Sequence, residues 1–146
     1  MHPEIAAGSG VMRLHHVGFV VASIESSVEG FLRSLGARWD GKVFHDSLQG
    51  VRVTFLDVGC AGSARIELVE PAGGGAPVGR FLSAGGGLHH LCYEVDDIDA
   101  QIKLMRARHV TLAKPPLPAV AFDNRRIAWM ATRERLLLEF VESAQR

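Results

Sequence analysis

Two cysteines, Cys60 and Cys92, are all that this chain of 146 residues carries. Two thiols cannot build the disulfide framework of a small secreted domain, so a reducing cytoplasm is the expected compartment. Net charge is missing as well, since 16 basic residues balance 16 acidic ones. With no basic stripe to meet phosphates, neither nucleic acid nor a membrane surface is an expected partner. No apolar run reaches the roughly 20 residues that a membrane helix needs. Residues 1–12 lack the charged-then-apolar pattern of a signal peptide and read as a short flexible lead. The triplets Gly73-Gly74-Gly75 and Gly85-Gly86-Gly87 lack a P-loop lysine and read as connector rather than phosphate cradle.

What the chain does contain is a repeat. Leu14-His15-His16-Val17 returns as Leu88-His89-His90-Leu91, 74 residues later. Ile24 matches Ile98, Val28 matches Ile102, and Phe55 matches Trp129 at the same offset. Ile66-Glu67-Leu68-Val69-Glu70 returns as Leu138-Glu139-Phe140-Val141-Glu142, 72 residues later. Each half therefore supplies one histidine and one glutamate at matching places. Related by a pseudo-twofold, the two pairs would converge as a divalent metal site: His16, Glu67, His90 and Glu139.

The periodicities predict an α+β chain. Residues 14–21 alternate as a strand, and Ser23 caps a helix that carries Ile24, Val28, Phe31, Leu32 and Leu35 and stops at Gly36. Strands are expected at 41–46, 51–58 and 64–70, and Pro77–Ala84 suits one or two helical turns. The second half repeats the plan: a strand at 88–95, a helix capped by Asp96 or Asp97, and strands at 125–131 and 135–142. Lys114–Pro118 (KPPLP) is expected as an extended loop, because proline opposes both helix and ladder. The expected organisation is one domain over 13–146: a first module at about 13–72, a linker with a short helix at about 73–86, and a second module at about 87–146.

Strand alternation also assigns faces. Val17, Phe19 and Val21 must cover the helix, which turns His16 the other way. His90 opposes Leu91, Tyr93 and Val95, Glu67 opposes Ile66 and Leu68, and Glu139 opposes Leu138 and Phe140. All four candidates thus fall on the sheet face that the helices leave open. His15 and His89 fall on the helix-facing register and are expected to be structural, orienting their neighbours at most. Cys92 shares the register of His90 and is expected to line the core.

The segments LHHVGFVV, IELVEP with PVGRFL, GLHHLCYEVDDIDA and LLLEFVE together resemble the vicinal oxygen chelate superfamily (glyoxalases, bleomycin resistance proteins, dioxygenases). The likest branch is that of the methylmalonyl-CoA epimerases. The resemblance spans most of 13–142. It implies paired βαβββ modules in one cupped mixed sheet with helices outside. It also implies a divalent ion (cobalt, manganese, nickel, zinc or magnesium) held by His16, Glu67, His90 and Glu139, and a homodimer. The implied chemistry is proton transfer alpha to a carbonyl through a metal-stabilised enolate, with Glu139 as a catalytic base and a small-molecule substrate of the acyl-CoA kind.

One position departs from that pattern. Epimerases of this branch carry a second glutamate in a Glu-x-Gly-Val pattern, and here the stretch is Leu48-Gln49-Gly50-Val51. Leucine accepts no proton, which leaves His45 and Asp46 as the nearby substitutes. The loop Val120–Arg126 replaces a glycine-rich turn and is expected to reshape the substrate mouth; Arg125 and Arg126 read as a solvated loop edge before they read as an anion site. Two alternatives follow. A glyoxalase-like lyase or isomerase needs only one base, and a binding or resistance protein needs none, although the intact ligand set argues against the latter.

Overall fold

The computed structural model describes residues 11–73, 75 and 77–144. The lead expected at 1–12 lies outside the described residues apart from Val11 and Met12. Eight strands form one mixed sheet: β1 (Arg13–Val20), β2 (Phe44–Asp46), β3 (Val51–Leu56), β4 (Arg65–Pro71), β5 (Gly87–Val95), β6 (Thr111–Ala119), β7 (Arg125–Ala131) and β8 (Leu137–Glu142). Three helices accompany them: α1 (Ile24–Leu35), α2 (Pro77–Ser83) and α3 (Ile98–Ala107). The strand order β2-β3-β4-β1-β5-β8-β7-β6 is the same βαβββ module used twice, joined back to back. The central β1 and β5 run antiparallel, and each has a parallel neighbour from its own module, β4 for β1 and β8 for β5.

The helices begin and end where local chemistry dictates. The Ser23 hydroxyl accepts from the Ser26 N–H, and Gly36 takes the left-handed conformation that closes α1. The Asp97 carboxylate caps α3 by accepting from the Ala100 N–H. Ile24 and Val28 of α1 pack on Leu56 and Leu68 of the sheet, with Phe19 and Val21 beside them. Ile98, Ile102 and Met105 of α3 pack on Met130 and Phe140 in the equivalent layer. A third cluster, including Val20, Val51, Val53, Phe55, Cys92 and Phe122, fills the opposite, concave face.

The stretch Lys114–Pro118 is not a loop. It belongs to β6, which pairs with β7 alone and so forms one edge of the sheet. An edge strand needs only half of its ladder donors, and the pairing register breaks between Lys114 and Leu117, around Pro115 and Pro116. Prolines are tolerated on such an edge and blunt it against further strand pairing.

The segment between the modules is more than a connector. Val78, Phe81 and Leu82 of α2 pack against the concave cluster, and α2 caps one end of the cup.

Candidate metal centre and cavity

Four donor atoms meet at the floor of the cup. The Nε2 atoms of His16 and His90 lie 3.1 Å apart. A Glu67 oxygen is 2.8 Å from His16 Nε2, and a Glu139 oxygen is 3.5 Å from His16 Nε2 and 3.1 Å from His90 Nε2. All four donors lie within 4.8 Å of one another, and all four residues are buried. The residues that the repeat pairs are thus brought together, two from each module.

The donor chemistry fits a divalent cation. Glu67 and Glu139 are only 5% and 2% exposed, and among the described residues neither pairs with a lysine or arginine. A buried carboxylate without a cation is costly, so two side by side call for one. Burial alone would lower His16, but the Glu67 carboxylate and a hydrogen bond with Cys92 hold it well above the ordinary imidazole value. Burial likewise pushes Glu139 up, yet its hydrogen bonds with His16 and His90 bring it down to about 2.

His15 and His89 depart from their expected face. Leu14 pairs with Tyr93 and His16 with Cys92, so His15 is the extra residue of a β-bulge. Gly18 pairs with His90 and Phe19 with Leu88, which makes His89 the extra residue of a matching bulge. Strict alternation fails at both, and both imidazoles turn toward the cup. His15 Nδ1 lies 2.9 Å from His16 Nδ1, and His89 Nδ1 lies 2.8 Å from His90 Nδ1. Burial, followed by the neighbouring imidazole, lowers His15 and His89 to about 4. Each therefore stays neutral and shares an Nδ1–Nδ1 hydrogen bond with its neighbour, whose Nε2 faces the cluster. Both contact the imidazoles they were expected to orient, but from the opposite face.

Aromatic rings fix the two inner imidazoles. Phe122 stacks on His16 at 5.8 Å, and Phe55 meets it edge-on at 5.4 Å. Trp129 meets His90 edge-on at 4.7 Å. Phe55 and Trp129 are a repeat pair, and each sits across from its module's glutamate, Glu67 or Glu139. Their matching positions are a sequence signal for this packing. Phe122 has none, because its 3₁₀ turn (Val120–Phe122) closes through Asp123 and Asn124 in left-handed conformations.

Above the cluster lies a cavity of about 230 Å³, walled mainly by apolar side chains. Glu67, His90 and Glu139 line its floor, and Asp46, Gln49 and Lys114 supply further polar groups. Leu48 does not line it and is 56% exposed in the turn between β2 and β3. Arg125 and Arg126 do not line it either. Arg125 bonds Glu94, and Arg126 bonds Glu142 and Asp99. Cys92 is fully buried against His16, and burial pushes its thiol up to about 12. Lys114 and Gln49 are polar cavity residues that sequence reasoning missed. Lysine on a proline-rich stretch and glutamine in a turn carry no periodic signal.

This cupped, twice-repeated sheet with a His/Glu floor defines the class. The profile described as "Glyoxalase/Bleomycin resistance protein/Dioxygenase superfamily" matches residues 15–129, and the chain belongs to that family. Within it, the chain is similar to epimerases. It is 35% identical over 112 residues to the ethylmalonyl-CoA/methylmalonyl-CoA epimerase of Cereibacter sphaeroides, covering 73% of this chain and 81% of that protein. It is 32% identical to the human mitochondrial methylmalonyl-CoA epimerase, covering 67% of this chain but only 54% of that protein. The methylmalonyl-CoA epimerase structure from Mycobacterium tuberculosis superposes with a TM-score of 0.77 at 30% identity, covering 90% of this chain and 88% of that one. A methylmalonyl-CoA epimerase solved with methylmalonyl-CoA and NH4+ superposes with a TM-score of 0.78 at 25% identity, covering 92% and 96%.

Proposed function

We propose that the chain is a metal-dependent, methylmalonyl-CoA epimerase-like enzyme that moves a proton on the carbon alpha to a carbonyl. The observation that carries this reading is the cluster of His16, Glu67, His90 and Glu139 on the floor of a largely apolar cavity. The relatives named above are epimerases of acyl-CoA substrates, which supports a substrate of that kind.

In this reading His16, Glu67, His90 and Glu139 hold one divalent ion. When bound, such an ion stabilises negative charge that develops on carbonyl oxygens as the alpha proton departs. The protein residues do the rest. His15 and His89 hold the inner imidazoles with Nε2 forward. Phe55, Phe122 and Trp129 keep those rings from turning and exclude water. Hydrogen bonds with His16 and His90 favour the ionised form of Glu139, and in this reading it takes the proton from one face of the substrate. The apolar walls fit an acyl group better than a fully charged ligand.

A glyoxalase-like reaction that needs one base is the second reading. The observation favouring it is Leu48, which turns away from the cavity and offers no base there. The deciding experiment incubates the metal-loaded protein with methylmalonyl-CoA in deuterated water. Deuterium entering the alpha carbon supports the epimerase-like reading. No incorporation with any of cobalt, manganese, nickel, zinc or magnesium overturns it.

A further inference from the structure

We propose that Asp46 is a second proton-transfer group, serving the substrate face opposite Glu139 in place of the carboxylate that Leu48 lacks. This rests on the epimerase-like reading above. Four observations lead to it.

Asp46 lies on the correct face. In the β2–β3 pairing Asp46 sits across from Val51 and Phe44 across from Val53, and Val51 and Val53 line the cavity. Directly paired residues share a face. His45 pairs with Arg52, which is tied to Glu25 and Glu70 on the outer side, so His45 is directed away. Of the two groups near Leu48 on its own hairpin, Asp46 lines the cavity and His45 does not.

Asp46 is buried without a counter-ion. It is 4% exposed, and among the described residues no lysine, arginine or histidine forms an ion pair with it. Among the described residues its carboxylate accepts one hydrogen bond, from the Gln49 N–H at 3.1 Å to Oδ1. Its carboxylate therefore faces the cavity rather than a cation.

The turn bearing Asp46 is tethered to the other lip of the cup. Lys114 Nζ, on the edge strand β6, donates to Gln49 Oε1 at 3.0 Å and reaches the Leu48 carbonyl at 3.5 Å. β2 and β6 are the two edges of the sheet, so this contact links its ends across the mouth. Glu139 comes from β8 of the second module and Asp46 from β2 of the first. Both carboxylates line the same cavity, one from each module.

The same wall carries a vacant donor. Since an ammonium only donates, Gln49 must present Oε1 to Lys114 and turn Nε2 away. That Nε2 is buried and has no hydrogen-bond partner among the described residues. Buried donors without partners are rare, and in a cavity wall such a group suits an acceptor atom of a ligand. Asp46 and Gln49 together therefore line the wall where a carbonyl compound would sit.

The step balances as follows. Glu139 removes the alpha proton, and the C–H electron pair passes into the enolate. Asp46, in its acid form, delivers its proton to the opposite face of that carbon. The stereocentre inverts, Glu139 is left protonated and Asp46 ionised, and exchange with water or the reverse reaction resets both.

The test follows each epimer of methylmalonyl-CoA separately in deuterated water, for the wild-type holoenzyme and for Asp46→Asn. Wild type should exchange the alpha proton of both epimers and interconvert them. Asp46→Asn should interconvert them about 100-fold more slowly or worse, which is the ordinary loss on removing a general acid or base. It should still exchange the alpha proton of one epimer, the one presented to Glu139. That surviving exchange also shows that the variant is folded and metal-loaded. Asp46→Glu, which keeps the carboxylate, should recover part of the interconversion. Wild-type interconversion in Asp46→Asn overturns the assignment of Asp46 alone. So does an equal loss of exchange from both epimers in Asp46→Asn and Asp46→Glu. No exchange by the wild type overturns the epimerase-like reading, and this assignment with it.

Discussion

Gly18 lies directly against the ring of His90. A Cβ built on residue 18 would stand 2.1 Å from His90 Cε1 and 2.5 Å from Nδ1 and Nε2. The constraint is space, because Gly18 is not among the glycines with positive φ. Its repeat partner is Cys92, the residue opposite His16 in the same strand pair. The two modules therefore accommodate their imidazoles differently, through a missing side chain in one case and a small thiol in the other. Gly18→Ala should displace His90 and cost about 1–3 kcal/mol, the usual range for overpacking a filled core. Chemical denaturation should show the loss, and elemental analysis should show reduced metal content in the purified variant.

Removing a member of the floor cluster tests the proposed ligand set directly. Glu67→Ala and His90→Ala should each weaken divalent-ion binding by more than the 10–100-fold that typically follows loss of a group one shell further out. Competition with a chromogenic chelator measures this without any substrate. Retention of wild-type affinity in both variants would remove the cluster as the metal centre.

Glu94 bridges Arg13 of β1 and Arg125 of β7, at 3.0 Å to each. Burial pushes its carboxyl up, but the hydrogen bonds from Arg13 and Arg125 outweigh burial and hold it below the ordinary carboxylate value. A depressed carboxyl contributes stability that is complete above its unfolded-state pKa and disappears as the pH falls through the folded-state value. Wild type should therefore exceed Glu94→Gln in stability by about 1 kcal/mol at neutral pH. The gap should close as the pH is lowered through the carboxylate range. Parallel urea titrations at neutral and acidic pH would show it.

The two thiols should behave differently. Cys60 is exposed, whereas Cys92 is fully buried with its pKa pushed up to about 12 by that burial. At pH 8 a thiol reagent such as DTNB should titrate one equivalent per native chain and a second only after unfolding. Rapid reaction of both would mean that the concave face opens readily.

Much of this was legible in the chain because it depends on local periodicity. Ser23, Gly36 and Asp97 mark helix ends through hydrogen bonds within a few residues, and α1 and α3 begin and end close to them. The alternation of Val17, Phe19 and Val21 against His16 separates the helix-covered face from the concave one. The repeat then pairs residues that the fold brings within a few ångströms, His16 with His90 and Glu67 with Glu139. Phe55 and Trp129 belong to the same signal.

The rest was decided by contacts between distant segments. Alternation assumes an unbroken strand, and the two bulges at His15 and His89 exist only because β1 pairs with β5. The prolines near Lys114 oppose a ladder in isolation, yet they are admissible in β6 because the completed sheet leaves that strand on its edge. Leu48 turns to solvent while Asp46 two residues earlier faces the cavity, a choice set by the β2–β3 register and by the turn that follows. Lys114 meets Gln49 across 65 positions of sequence because the sheet curls until its edges approach. Residue type and spacing specified which donors this chain carries and which face they occupy. Strand pairing and the curvature of the closed sheet decided what stands opposite them, since those distances arise only between segments far apart in the chain.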